Sequence, residues 1–140
     1  MSEQTDQVAA RLHSASIRLL RMLRREDDSS GLSAPRLSAL SVIVFSGPLS
    51  LAELAEAEQV RPPTMSRVVD GLVEAGLVTR EVKPGDRRSV RISATEDGIR
   101  LLNAGRERRV RALTDRLSKL AESERRALAR GVEILERVVR

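Results

Sequence analysis

The chain has 140 residues, with 25 Lys and Arg against 20 Asp and Glu, and its 41% apolar residues include one Phe, no Trp and no Tyr. Such a length predicts one compact unit with an aliphatic core, and the formal charge of +5 is compatible with a polyanionic partner without showing one. The lack of Cys excludes disulfides, thiolate nucleophiles and Cys-based metal or peroxide sensing, while no apolar run approaches the roughly 18 residues of a membrane span and no export signal opens the chain, so a cytoplasmic protein is the simplest expectation.

Residues 1–6 are polar and are expected to fray. From Gln7 to about Arg25, Val8, Leu12, Ala15, Leu19, Met22 and Leu23 recur at helical spacing, and Ile17 and Leu20 widen the stripe. This predicts a long helix with more apolar surface than a lone outer helix needs. Glu26 to Gly31 is a polar break. Ser33 is placed as the N-cap of a second helix with Pro35 in its first turn. Leu37, Leu40, Ile43 and Val44 form its inner side, and Ser46-Gly47-Pro48 stops it.

The next stretch, Leu49 to Thr95, is the centre of the chain. Leu49-Ser50 is a candidate third short strand. Ser50 followed three residues later by Glu53 is a capping-box pattern, in which each residue satisfies a backbone N–H left open at a helix start. Leu51, Leu54 and Ala55 then share a face. Gln59-Val60-Arg61 reads as a turn, and Pro62-Pro63 suits the first turn of a following helix. Met65, Val68, Val69, Leu72 and Val73 give that helix its apolar side, with a left-handed stop expected at Gly76. Two short helices joined this way predict a helix-turn-helix, whose second helix can enter a DNA major groove. Leu77 to Lys83 and Ser89 to Ser93 alternate apolar and polar residues around Pro84-Gly85, which predicts a hairpin. Its arms and tip hold five basic residues between Arg80 and Arg91, against Glu81 and Asp86. A basic hairpin directly after a helix-turn-helix is the layout of a winged helix.

Thr95 is expected to cap a further helix running to about Leu120, with Leu102, Val110, Leu113, Leu117 and Leu120 along one side. A last helix begins near Ser123 and carries Leu128, Val132, Leu135 and Val138 at spacings of four, three and three. Charge is unevenly placed. Residues 1–32 hold five basic and five acidic side chains, residues 33–95 eight and seven, and residues 96–140 twelve and eight. The positive excess is therefore mostly C-terminal, where it reads as a solvated helix face.

These motifs together resemble the MarR family of bacterial transcriptional regulators. The carriers are Leu51-Ala52-Glu53-Leu54-Ala55, the run from Pro62 to Leu72, Glu74-Ala75-Gly76-Leu77-Val78, and Asp86-Arg87-Arg88, which looks like the family's wing signature of Asp, any residue, Arg. The resemblance implies a mostly α fold with a small β-wing. Residues 1–32 and 96–140 would supply dimerisation helices around a winged helix-turn-helix domain at 33–95, all in one compact unit. It implies a homodimer in which first and last helices of two chains interdigitate, here through Val8, Leu12, Leu128, Val132, Leu135 and Val138. Two recognition helices roughly 34–36 Å apart would then read a pseudo-palindromic operator in double-stranded DNA.

The DNA-contact candidates are Arg61, Pro62, Pro63, Thr64, Ser66 and Arg67 at the start of the second helix, and Asp86, Arg87 and Arg88 at the wing. Arg can bond guanine in bidentate fashion, hydroxyls can bond phosphates or bases, and Arg suits the negative potential of a narrow minor groove. The family's wing arginine maps onto Arg88, which Asp86 would orient. Arg61 stands where the family often has a small capping residue. The bland alternatives are a solvated helix face and a surface turn.

His13, the sole histidine, reads as a surface or interface residue. No catalytic constellation, metal site or cofactor motif is visible, and an enzyme is not expected. The resemblance also implies a repressor released by a small aromatic or anionic effector, although without Trp or Tyr little aromatic stacking is available. A ligand-independent or architectural DNA-binding protein, and a helical dimer module that binds protein, are the alternative readings.

Overall fold

A computed structural model describes residues 2–82, 84–85 and 89–140. Helix α1 spans Glu3–Asp27. It begins earlier than the polar composition of residues 1–6 suggests, because Ser2 Oγ accepts the Thr5 N–H at 3.3 Å and Glu3 and Asp6 sit in the positive first turn. A single 3-10 turn at Asp28–Ser30 and a left-handed Gly31 (φ 75°) then reverse the chain. Helix α2 covers Ala34–Ser46. Ser33 occupies its N-cap position, but its side chain makes no capping bond.

Helix α3 spans Leu51–Ala57 and helix α4 Pro62–Glu74. Both end in the same way. Val60 N–H bonds back to the Ala55 carbonyl and Gln59 N–H to that of Glu56, while Leu77 N–H returns to Leu72 and Gly76 N–H to Val73. Each pair of bonds satisfies carbonyls that the helix end leaves open, and each needs a left-handed residue. At the second site Gly76 supplies it (φ 74°); at the first it is Gln59, at φ 55°.

Strands β1 (Val78–Val82) and β2 (Val90–Ala94) pair antiparallel, in a register that sets Val78 opposite Ala94 and Val82 opposite Val90. The expected third strand is reduced to one bridge, in which Leu49 and Ile92 exchange both backbone hydrogen bonds. Pro48 lacks an N–H and Ser50 already begins the cap of α3, so the pairing has no room to extend. Helix α5 spans Glu96–Leu117, a turn short of the expected Leu120, and α6 spans Glu122–Val138.

The core is small and aliphatic. Ala39, Leu40 and Ile43 of α2 meet Leu54 and Ala55 of α3, Met65, Val69 and Leu72 of α4, and Leu49, Leu77, Val78 and Ile92 around the sheet. Helix α5 adds Leu102. Leu37 and Val44 are only half-buried. Helices α1 and α6 bury no residue at all.

One corner joins α4, the hairpin and α5. Thr95 donates its N–H to the Leu77 carbonyl at 3.0 Å and its hydroxyl to the Gly76 carbonyl at 2.7 Å, and it accepts the Gly98 N–H to cap α5. The approach is so close that a Cβ on Gly98 would lie 2.2 Å from the Leu77 oxygen. Backbone, not a movable side chain, stands in the way. Gly98→Ala is therefore expected to lower unfolding stability by about 1–3 kcal/mol through enforced backbone displacement, read from the urea midpoint. An unchanged midpoint would show that the corner can relax.

Candidate nucleic-acid interface

Helix α4 starts with two residues that have no backbone N–H, so fewer of its first-turn donors need a partner. Its N-cap position holds Arg61, whose side chain makes no capping bond. Met65, Val69 and Leu72 are buried against the core, which turns Pro63, Thr64, Arg67 and Glu74 outward. Arg61, Pro62, Pro63, Thr64 and Arg67 are thus gathered as one exposed surface at the helix start. Ser66 is half-buried and faces more toward the protein. Arg36 of α2 lays its guanidinium against α4 at Gly71, further along the helix.

The hairpin is fastened to the helix-turn-helix by two ion pairs. Arg80 on β1 donates to Asp70 on α4, and Arg91 on β2 donates to Glu53 on α3 at 3.0 Å. Two of the five basic residues between 80 and 91 therefore hold the hairpin in place. Lys83, Asp86, Arg87 and Arg88 lie outside the described residues. Neither ion pair was expected, since an acidic residue ten or more positions away gives no local signal.

Glu53 does two jobs. Its carboxylate accepts the Ser50 N–H at 3.3 Å while Ser50 Oγ accepts the Glu53 N–H at 3.1 Å, completing the capping box. The neighbouring Ser50 hydroxyl and N–H, and then the Arg91 guanidinium, hold its carboxyl below the ordinary range.

A sequence model described as the MarR family matches residues 32–90. An HTH-type transcriptional regulator of Mycobacterium bovis is 37% identical over 135 residues, covering 96% of this chain and 94% of that protein. The chain belongs to the MarR family. A MarR-family protein structure from Bacillus stearothermophilus superposes with a TM-score of 0.81 at 25% identity, covering 99% of this chain and 98% of that one. The HTH-type transcriptional repressor NicR of Pseudomonas putida is 33% identical over 100 residues, 71% of this chain and 63% of NicR. This MarR-family chain is a transcriptional regulator, and its fold is the winged helix-turn-helix of the family, with exposed α1 and α6 at its two ends.

On those outer helices, Val8 (58% exposed), Leu12 (41%), Leu128 (42%), Val132 (44%) and Val138 (70%) stand in solvent, and Leu135 is half-buried. His13 is exposed on α1. None of the helices described is long and apolar enough to cross a membrane.

A cavity of about 660 Å³ opens between the end of α1, the start of α2, the exit of α3 and α5. Leu32, Leu37, Val60 and Leu102 give it apolar walls. Arg24, Asp27, Asp28, Glu58 and Arg109 ring it with charge. Arg109 pairs with Asp27 at 2.5 Å, with side chains 27% and 25% exposed, the most sheltered ion pair among the described residues. Glu58 accepts the Ser38 hydroxyl at 2.7 Å.

The Glu53 arrangement gives a direct check. A depressed carboxyl contributes stability above its unfolded pKa, and the contribution is lost as pH falls through the lower folded value. Ser50→Ala is expected to cost about 1 kcal/mol of stability by loss of the cap. It should also raise the Glu53 pKa, read by NMR titration of its side-chain carbon. A Glu53 pKa indifferent to the substitution would refute the role given to Ser50.

Proposed function

We propose that this MarR-family regulator binds a pseudo-palindromic site in double-stranded DNA as a homodimer and acts as a repressor in the cytoplasm. The observation that carries the reading is the exposed start of α4. Arg61, Thr64 and Arg67 stand clear of the protein there while the opposite face of the same helix is buried. That surface has the shape and polarity of a major-groove reader. Arg67 is assigned to base edges and phosphate, and Arg61, Thr64 and Ser66 to phosphate or base-edge bonds. Pro62 and Pro63 fix the approach of the backbone. The ion pairs Arg80–Asp70 and Arg91–Glu53 set the angle of the hairpin to that helix. Arg87 and Arg88 are assigned to the adjacent minor groove, with Asp86 orienting Arg88.

The apolar stripes of α1 and α6 support the dimer, since neither is covered within one chain. Burying such stripes in a second copy removes apolar surface from water and would set two α4 helices about one DNA turn apart. The repressor assignment is supported by the similarity to NicR.

The cavity supports a releasing effector. Two guanidiniums, one already paired with Asp27, and three carboxylates surround it, so it suits an uncharged or cationic amphiphile better than an anion. Occupancy would act through differential affinity for the DNA-competent and incompetent arrangements.

Three measurements check this reading. Fluorescence anisotropy at physiological salt should show roughly 10³-fold or greater preference for DNA upstream of the chain's own gene over a shuffled duplex; equal weak binding to both would contradict sequence reading there. Arg67→Ala and Arg88→Ala should each weaken operator binding by about 1–3 kcal/mol with helix content unchanged. Unchanged affinity in either would remove that residue from the interface. Leu135→Asp should yield a monomer by sedimentation, and a dimeric variant would refute the C-terminal interface.

A further inference from the structure

We propose that Arg36 of α2 is a DNA-phosphate contact, held flat against the recognition helix in a slot that Gly71 leaves for it. The inference rests on the reading of α4 as a major-groove helix and adds to it a residue from outside the helix-turn-helix. Arg36 stands three, four and seven residues before Ala39, Leu40 and Ile43, so it continues the buried side of α2 into its first turn. An arginine so placed covers neighbouring surface with its stem and keeps its charged head in water, and Arg36 is exposed. The head rests on Gly71 of α4. A Cβ at Gly71 would lie 2.5 Å from Nη2 and 2.6 Å from both Cζ and Nε. Near-equal distances to three atoms of one planar group mean that the guanidinium turns its face to the glycine. Its N–H donors lie in that plane, so they point along the surface of α4 rather than into it. No carboxylate pairs with Arg36 among the described residues. Glycine inside a helix is unfavourable relative to alanine, but here any larger residue would displace the guanidinium.

The slot lies on the side of α4 assigned to DNA. Gly71 is seven residues beyond Thr64 and four beyond Arg67, which places it roughly 6 Å further along the helix than Arg67 and roughly 40° around it. It shares the stripe of Thr64, Arg67 and Glu74, all exposed, and is itself half-buried under the Arg36 head. A helix in a major groove turns its crest to base edges and its flanks to the phosphate-lined walls. Helix α2 borders α4 on one flank, so the donor it supplies meets a wall rather than a base edge. Arginine suits that place, because its fixed fork of donors matches a phosphate. A head already held by α4 also has less rotamer freedom to lose on binding. Glu74, three residues beyond Gly71, is exposed and makes no ion pair among the described residues. It is the acidic alternative to a phosphate, and the two differ in salt dependence, since only a phosphate contact releases counterions from DNA.

Fluorescence anisotropy of the full chain across a salt series tests the contact, on the duplex from upstream of its own gene and on a shuffled duplex. Arg36→Gln, which keeps the stem and removes the charge, is expected to weaken binding roughly threefold or more on both duplexes and to leave their ratio unchanged. The slope of log K against log salt should shrink by about 0.9 for each Arg36 engaged. Arg36→Lys keeps the charge but loses the flat fork, so it should retain the slope at an affinity between wild type and Arg36→Gln. Gly71→Ala displaces only a flexible side chain, so it should fold normally and weaken binding. In the Arg36→Gln background the same alanine should add little. Unchanged affinity in Arg36→Gln overturns the contact and leaves α4 as the reader. Weaker binding at an unchanged salt slope also overturns it, reducing Arg36 to packing or to a pair with Glu74. Weakening confined to the upstream duplex assigns Arg36 to base edges and overturns the phosphate contact. If Arg36→Gln loses the native circular dichroism, Gly71→Ala decides, and unchanged binding by that variant overturns the slot. A wild type that binds neither duplex overturns the contact and the DNA reading together.

Discussion

The corner at Gly76, Leu77, Thr95 and Gly98 is the constraint on which the geometry of this regulator depends. The left-handed Gly76 ends α4 and turns the chain into β1, the Leu77 carbonyl takes the Thr95 N–H, and the Thr95 hydroxyl closes on Gly76 while capping α5. Recognition helix, wing and long connecting helix therefore start or stop within a few residues of one another. A side chain at Gly98 would meet the Leu77 oxygen, so only glycine lets α5 start this close to the end of α4.

The energetic division of the molecule follows from this. A dozen small and aliphatic side chains hold α2, α3, α4 and the hairpin together. The outer helices contribute almost nothing to that core and keep their apolar residues outside. Exposed stripes along two long helices are costly in isolation, which is the physical case for a second copy. The bond between the end of α1 and α5 is polar: Arg109 holds Asp27, and Arg108 donates to the Glu26 carbonyl. That junction also borders the cavity.

Both ion pairs that fasten the hairpin are largely solvent-exposed, and such pairs contribute little to stability. Their value lies in direction. Each joins a strand to a different helix, so together they restrain tilt and twist of the hairpin relative to α4. The Glu53 carboxylate illustrates how economical the arrangement is, since it serves at once as the capping-box acceptor of α3 and as the anchor for Arg91.

Much of this protein is legible in its sequence, and the legible part is local. Ser50 and Glu53 lie three residues apart, Pro62-Pro63 suits the first turn of a helix, Gly76 ends one, and period-two alternation around Pro84-Gly85 marks a hairpin. Those signals operate within one or two turns of chain, and with the motif from Pro62 to Leu72 they were enough for the element order and the family. Element ends were less legible: α1 starts at Glu3 because Ser2 caps it, and the pairing of Leu49 stops after one bridge. What only the tertiary structure decided is which charges are committed and which surfaces are left over. Arg80 and Arg91 read as wing cations but bond Asp70 and Glu53, Ser66 turns half inward, and the cavity wall collects Arg24 of α1, Glu58 from the exit of α3 and Arg109 of α5. Periodicity states that a face is apolar or charged. It carries no information about residues ten to eighty positions away, and their arrival in space settles whether that face is covered.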